Sequence, residues 1–222
     1  MNLGELVALA RTRLGDENAP YLWSDDFLIG AFNRAESEAA ERALLLRDSR
    51  SKMTDVAYVA GDPHLTIDPS ILYIDRAIRV SDNTVLRART RNEMDNHDPV
   101  WETRTAERPW GYVKEGTRIR LIPTPTQPGN LKLHVFRTPV DPMASLSDEP
   151  EIDPIYHEAL IHYVVADAYS HSDADSDDPQ RADRAASRFD RVFGRRKTAR
   201  FSQMNRDHPK NSTIYMRRFG QW

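Results

Sequence analysis

Apolar residues recur at three- and four-residue steps up to Leu46, then shift at about residue 54 to short segments rich in β-branched side chains, which run to about residue 140. The helical step returns from Ile155 to Phe193. A 3.6-residue period means one buried helix face and a two-residue period means a half-buried strand. The double switch therefore predicts an α+β chain: an antiparallel helical bundle of two N-terminal and two C-terminal helices, with a small antiparallel β-domain inserted between them. The bundle is expected over 1–50 and 150–194, the β-domain over 54–140, and an extended C-terminal arm over 195–222.

Leu3, Leu6, Val7, Ala10 and Leu14 form the first helix face, and Gly15 follows as a residue that can close a helix in the left-handed region. After the loop ENAPYLW, Ser24 is the expected cap of a second helix, with Asp25 and Asp26 at its positive end. Its apolar face runs from Phe27 to Leu46, and Glu36, Glu38, Glu41, Arg42 and Arg47 lie opposite, a face suited to a solvated surface or to a neighbouring subunit. In the middle third, expected strands are 56–59, 65–67, 72–80, 85–90, 112–114, 118–122 and 131–137, separated by Gly, Pro and Asp turn signals. RNEMDNHD reads as a helical turn, and Glu115-Gly116-Thr117 as a hairpin. Trp101, Trp110 and Tyr112 suit core or interface, with core favoured. Asp153-Pro154 and Asp178-Pro179 mark the starts of the last two helices, and Ile155 opens the core face of the first of these.

Chemistry finds little support. The chain has no cysteine, which removes disulfides, thiolate zinc sites and thiol nucleophiles. Asp173, Asp175 and Asp177 match the first ligand positions of a calcium loop, but Asp178 stands where glycine is needed and Arg184 where the bidentate glutamate should be. His157 and His162 are five apart, about 140° around a helix, too far to share a metal. No phosphate-cradling glycine motif or serine-hydrolase elbow occurs. The expectation is no catalytic residue, no metal and no cofactor. No apolar run is long enough for a membrane span, and no membrane is expected as a partner.

The formal net charge of −3 conceals a split. Residues 141–180 carry eleven acids and no Lys or Arg, whereas 181–222 carry twelve Lys or Arg and three acids. Such asymmetry suggests a surface that meets other charged surfaces. Asp173, Asp175, Asp177 and Asp178 form a possible acidic contact surface, or simply a solvated joint that favours the next helix start. The basic arm carries Arg195, Arg196, Lys197, Arg200, Arg217 and Arg218, interleaved with Phe201, Ile214, Tyr215, Phe219 and Trp222. Aromatic and arginine side chains are the usual anchors of protein interfaces, so the arm suits docking on a partner. A solvated tail and contact with nucleic-acid phosphates are the alternatives.

Three segments carry a resemblance. They are ELVALARTRLGDENAPYLWSDDFLIGAFNRAESEAAER, then RPWGYVKEGTRIRLIPTPTQPGNLKLHVFRTPVDP, then DEPEIDPIYHEALIHYVVADAYSHSDADSDDPQRADRAASRFDRVFG. In order and spacing, over about residues 3–194, the chain resembles the head-to-tail adaptor (connector) proteins of tailed bacteriophages, the tail tubular protein A-like group. The resemblance implies a structural protein of the virion neck, made in the host bacterial cytoplasm. It implies a homo-oligomeric ring, usually of twelve subunits, on the portal protein, with a downstream tail tube or nozzle protein below. Genomic DNA would pass through the channel without sequence recognition. Related C-terminal segments dock on portal, which gives residues 195–222 that role here. A basic-tailed DNA-binding module, or a tail-associated cell-wall hydrolase, would be the competing classes.

Overall fold

The computed structural model describes residues 1–170 and 178–198. One compact unit consists of residues 1–46 with 138–196, and a second contains residues 47–137.

In the first unit, α1 (Leu3–Leu14) opens on an Asn2 cap reciprocated by Glu5 and closes on Gly15 at φ 76°. Helix α2 (Asp25–Ala43) starts on the Ser24 hydroxyl, which accepts from the Phe27 N–H. Helices α4 (His157–Ser170) and α5 (Pro179–Phe193) complete the unit. Their common core includes Leu3, Leu6, Leu28, Phe32, Leu160 and Phe189. Two polar devices, one half-buried and one buried, fix the connections. The Asn33 side chain both donates to the Met143 carbonyl and accepts from the Met143 N–H, each at 2.9 Å. The Glu36 carboxylate, only 1% exposed, accepts from the Ile152 N–H.

The β-unit overturns the expected fold class. Among the described residues the chain has five α-helices and ten strands, and it is not a helical bundle with a small inserted β-domain. Its larger sheet has eight strands and curls like half a barrel. Those strands are β1 (Leu46–Asp48), β2 (Asp55–Tyr58), β3 (His64–Thr66), β4 (Ile71–Arg79), β5 (Thr84–Arg89), β7 (Gly111–Glu115), β8 (Arg118–Ile122) and β10 (Gly129–Arg137). The order is β1-β10-β4-β5-β7-β8-β3, with β2 also on β10. The sheet is not purely antiparallel either: β5 and β7 run parallel, with Arg87 opposite Gly111 and Arg89 opposite Val113. The short strands β6 (Thr105–Ala106) and β9 (Thr124–Pro125) form a second, parallel pair. Parallel strands need a crossover. Here it is residues 90–110, including α3 (Arg91–His97), which Thr90 and Glu93 cap reciprocally.

Alternation places the side chains. Leu131, Leu133 and Val135 of β10 are fully buried on one face, with Ile74, Ala77, Leu86 and Ile119 around them. On the other face Met94 and Trp101 of the crossover cover Val113 and Ile122. Trp101 is therefore core, with its indole N–H donating to Asp95 at 2.8 Å. Tyr112 is core as well, and burial drives its phenol pKa well above the ordinary range.

Two helix expectations also change. Helix α2 ends at Ala43 because Leu44 turns to φ 52°, so Leu46 is buried as a strand residue. Asp153-Pro154 starts a 3-10 turn, Pro154–Tyr156, ahead of α4, and this leaves Ile155 75% exposed instead of in the core.

Asp48 joins the first strand to the last. Burial raises its pKa, but hydrogen bonds from the Arg50 and Ser51 backbone N–H groups and from Arg137 outweigh it and hold the carboxyl well below the usual range. A depressed carboxyl stabilises the fold above the unfolded pKa of about 4, and that contribution is lost as pH falls towards the folded value. Asp48→Asn should cost about 2 kcal/mol at pH 7, as for hydrogen bonds to a charged group. Urea midpoints at pH 7 and pH 3 are the check: the variant should lose less on acidification than the parent protein, and equal losses would contradict the assignment.

Candidate functional site

The start of the C-terminal arm is held by a charged cluster built on α2 and α5. Residues 38 and 42 are one helical turn apart, so Glu38 and Arg42 meet on one face. The Arg42 guanidinium donates from Nε to Glu38 at 2.8 Å and from Nη1 to Asp190 at 2.6 Å. The same Nη1 reaches the Gly194 carbonyl at 3.0 Å, the residue where α5 ends. The guanidinium lies 5.1 Å from the centre of the Phe189 ring, a cation–π distance. Arg196, the second residue after that carbonyl, places its Nε 3.2 Å from the same Glu38 carboxylate. The chain therefore leaves α5 along a defined path.

The expected solvated face of α2 is thus largely spent inside its own unit. Glu36, Glu38 and Arg42 bond Ile152, Arg196, Asp190 and Gly194, because α2 has α4 and α5 beside it as well as the segment around Ile152. Sequence spacing marked these side chains as a face but carried no signal of their partners, which lie more than 100 residues away.

Next to the cluster a groove of about 290 Å³ is lined by Tyr163, Asp167, Ala182, Phe189 and Asp190. Arg34 pairs with Asp167 at 2.6 Å on its edge. Burial, then the Asp167 and Glu38 charges, push the Tyr163 phenol up.

Of the proposed docking residues, Arg195, Arg196 and Lys197 are described and exposed. Arg200, Phe201, Ile214, Tyr215, Arg217, Arg218, Phe219 and Trp222 lie outside the described residues. Of the acidic set, Asp178 caps α5, its carboxylate accepting from the Arg181 N–H at 3.0 Å. Asp173, Asp175 and Asp177 lie outside the described residues.

Helix α5 carries a second feature that residue-by-residue reading did not single out. At 100° per residue, Arg181, Arg184, Arg188 and Arg191 fall within a sector of about 80°, beside the buried stripe of Ala185, Phe189 and Phe193. Like charges three and four apart cost an isolated helix about 0.2–0.5 kcal/mol per pair. Arg181 donates to the Arg13 carbonyl and lies over the Tyr169 ring. Arg184, Arg188 and Arg191 are exposed and pair with no carboxylate among the described residues. Burial, then the charges of Arg188 and of Arg13 on α1, lower the His162 pKa.

The histidines do not converge on a metal. His157 is buried, its Nε2 2.9 Å from the Ile152 carbonyl and its Nδ1 3.1 Å from the Met1 carbonyl. Among the described residues, no group of three or more His, Cys, Asp or Glu side chains is placed to hold a metal ion. No described helix is long and apolar enough to cross a membrane.

In the β-unit a larger groove, about 520 Å³, is lined by Arg87, Arg89, Glu93, Met94, His97 and Trp110. Trp110 is 40% exposed there, against its favoured core placement. Its backbone N–H and carbonyl bond Ile122 and Arg87, so the strand edge holds the residue while the indole faces the groove.

A family model described as SU10 adaptor protein matches residues 1–212. No curated protein matches the chain.

Proposed function

Given that the chain belongs to the SU10 adaptor protein family, a family of phage head-to-tail adaptors, we propose that it forms a ring of about twelve copies beneath the portal protein. Its family role is structural and makes it a component of the virion, associated with portal and tail components. In the proposed arrangement genomic DNA passes through the ring without sequence recognition, a tail tube or nozzle protein attaches below, and residues 195–222 dock on portal.

One observation supports the docking part above the others: the clamp of Arg42, Glu38 and Arg196 where the arm begins. An arm used only as a solvated tail has no need of a fixed exit. A docking arm gains from one, because fixing its first residues in advance lowers the entropy lost on binding. Aromatic and aliphatic anchors, Ile214, Tyr215, Phe219 and Trp222, would supply the burial, and the arginines would pair with partner carboxylates. The 28 residues span at most about 95 Å when extended, enough to cross a neighbouring subunit.

Native mass of the protein co-assembled with its portal is the direct test. The expected species is a closed ring of about twelve adaptor copies bound to portal. A monomer that ignores portal would refute both the ring and the docking role. Salt-sensitive binding of duplex DNA by that monomer would favour a DNA-binding module instead.

A further inference from the structure

Among the described residues, the arginine face of α5 pairs with no carboxylate. Buried and half-buried arginines such as Arg11, Arg42, Arg79 and Arg137 are each matched to a carboxylate, whereas exposed ones such as Arg76 and Arg118 stand singly among the described residues. Arg184, Arg188 and Arg191 are unmatched there too, and their mutual repulsion works against the helix that carries them. A local conflict without local compensation points to a partner. That partner must be anionic, and its contact must be narrow: the stripe is one helix wide and covers about 10 Å of axis from Arg184 to Arg191.

The chain itself contains a matching segment. Residues 172–178, SDADSDD, hold four aspartates and no cation. Asp178 is occupied as the α5 cap. Asp173, Asp175 and Asp177 alternate in sequence with small, uncharged residues. Arginine forks suit such carboxylates, since each can take a bidentate pair. We propose that the Arg184–Arg188–Arg191 face of α5 receives the Asp173–Asp177 segment of a second copy of this chain.

The proposal rests on the ring reading and gives it an interface. In a ring each copy would give its aspartate segment to one neighbour and receive that of the other, a head-to-tail contact of the type that closes when the rotation allows. A duplex-DNA backbone is the weaker fit. Phosphate tracking calls for a broader cationic surface than one helix stripe.

Charge exchange in the full-length protein tests this. One variant carries Arg184→Glu, Arg188→Glu and Arg191→Glu; a second carries Asp173→Lys, Asp175→Lys and Asp177→Lys; a third carries all six. Circular dichroism establishes that each is folded, and native mass with portal reads assembly. Each single-sided variant should need at least tenfold more protein to form rings, and the six-fold variant should regain most of that loss. Rings formed normally by the arginine variant, or a folded six-fold variant that stays as poor as its parents, would overturn the proposal. A labelled peptide of residues 171–178, read by anisotropy, keeps this separate from the ring reading. It should bind the parent protein at least tenfold more tightly than the arginine variant even if no ring forms. Equal binding, or an arginine variant that loses only affinity for duplex DNA, would refute the contact.

Discussion

Arg11→Ala should lower the unfolding free energy by about 3–5 kcal/mol, the range for removing one partner of a buried ion pair. The guanidinium is buried and donates to Asp16 at 2.7 Å, to the Trp23 carbonyl at 3.1 Å and to Asp25 at 2.7 Å. It also lies 3.8 Å from the centre of the Tyr21 ring. One side chain thus ties α1 to the loop that follows and to the first turn of α2. The Asp25 arm counts for little, since that carboxylate is largely exposed. Asp16 decides the size of the effect: its side chain is only 5% exposed, and without Arg11 it would keep two backbone N–H donors but no cation. Arg11→Lys should rescue only part of the loss, because a single ammonium cannot span three acceptors in a fixed fork. Urea unfolding of the three proteins provides the measurement, and a loss below about 1 kcal/mol for the alanine variant would show that the loop does not depend on this residue.

Ending the chain after Gly194 should leave unfolding nearly unchanged and abolish the complex with portal. The Arg42 guanidinium keeps Glu38, Asp190 and the Gly194 carbonyl in the shortened protein. What is removed from the clamp is the Arg196 pair, whose arginine is 75% exposed, and exposed pairs contribute about 0–1 kcal/mol. The proposed anchors, by contrast, all disappear together. A pull-down with portal should therefore retain full-length protein and lose the shortened one to background. Retention of the shortened protein at parental levels would rule out docking through the arm. Loss of its folded structure would show that residues 195–222 hold the helices together.

The sequence was most legible where one residue type has one physical use. Gly15, Ser24 and Pro179 sit at the helix ends where their backbone or side-chain chemistry placed them. The buried faces of α1 and β10 follow their periods without exception. Seven strand positions emerged to within a residue or two, but the short strands β1, β6 and β9 and the sheet itself did not. Alternation identifies a strand without naming its neighbour, so the parallel β5–β7 pair and the place of β10 beside β1, β2 and β4 had no local signature. Helix α2 ended early because Leu44, not glycine, takes the left-handed turn. At the docking surface, composition marked the basic arm, whereas the charge clamp at its base depends on pairs distant in sequence.

The way the helical unit is assembled from both ends of the chain has a consequence for synthesis. On the ribosome α1 and α2 emerge long before α4 and α5, with which they share a core. Residues 47–137 contain all the partners of their own strands between β2 and β10, so this unit can close as soon as β10 appears. The apolar faces of α1 and α2 must wait through that entire interval. The nascent chain is most prone to aggregation during this delay, and chaperone demand should fall sharply once Phe189 and Phe193 have been added.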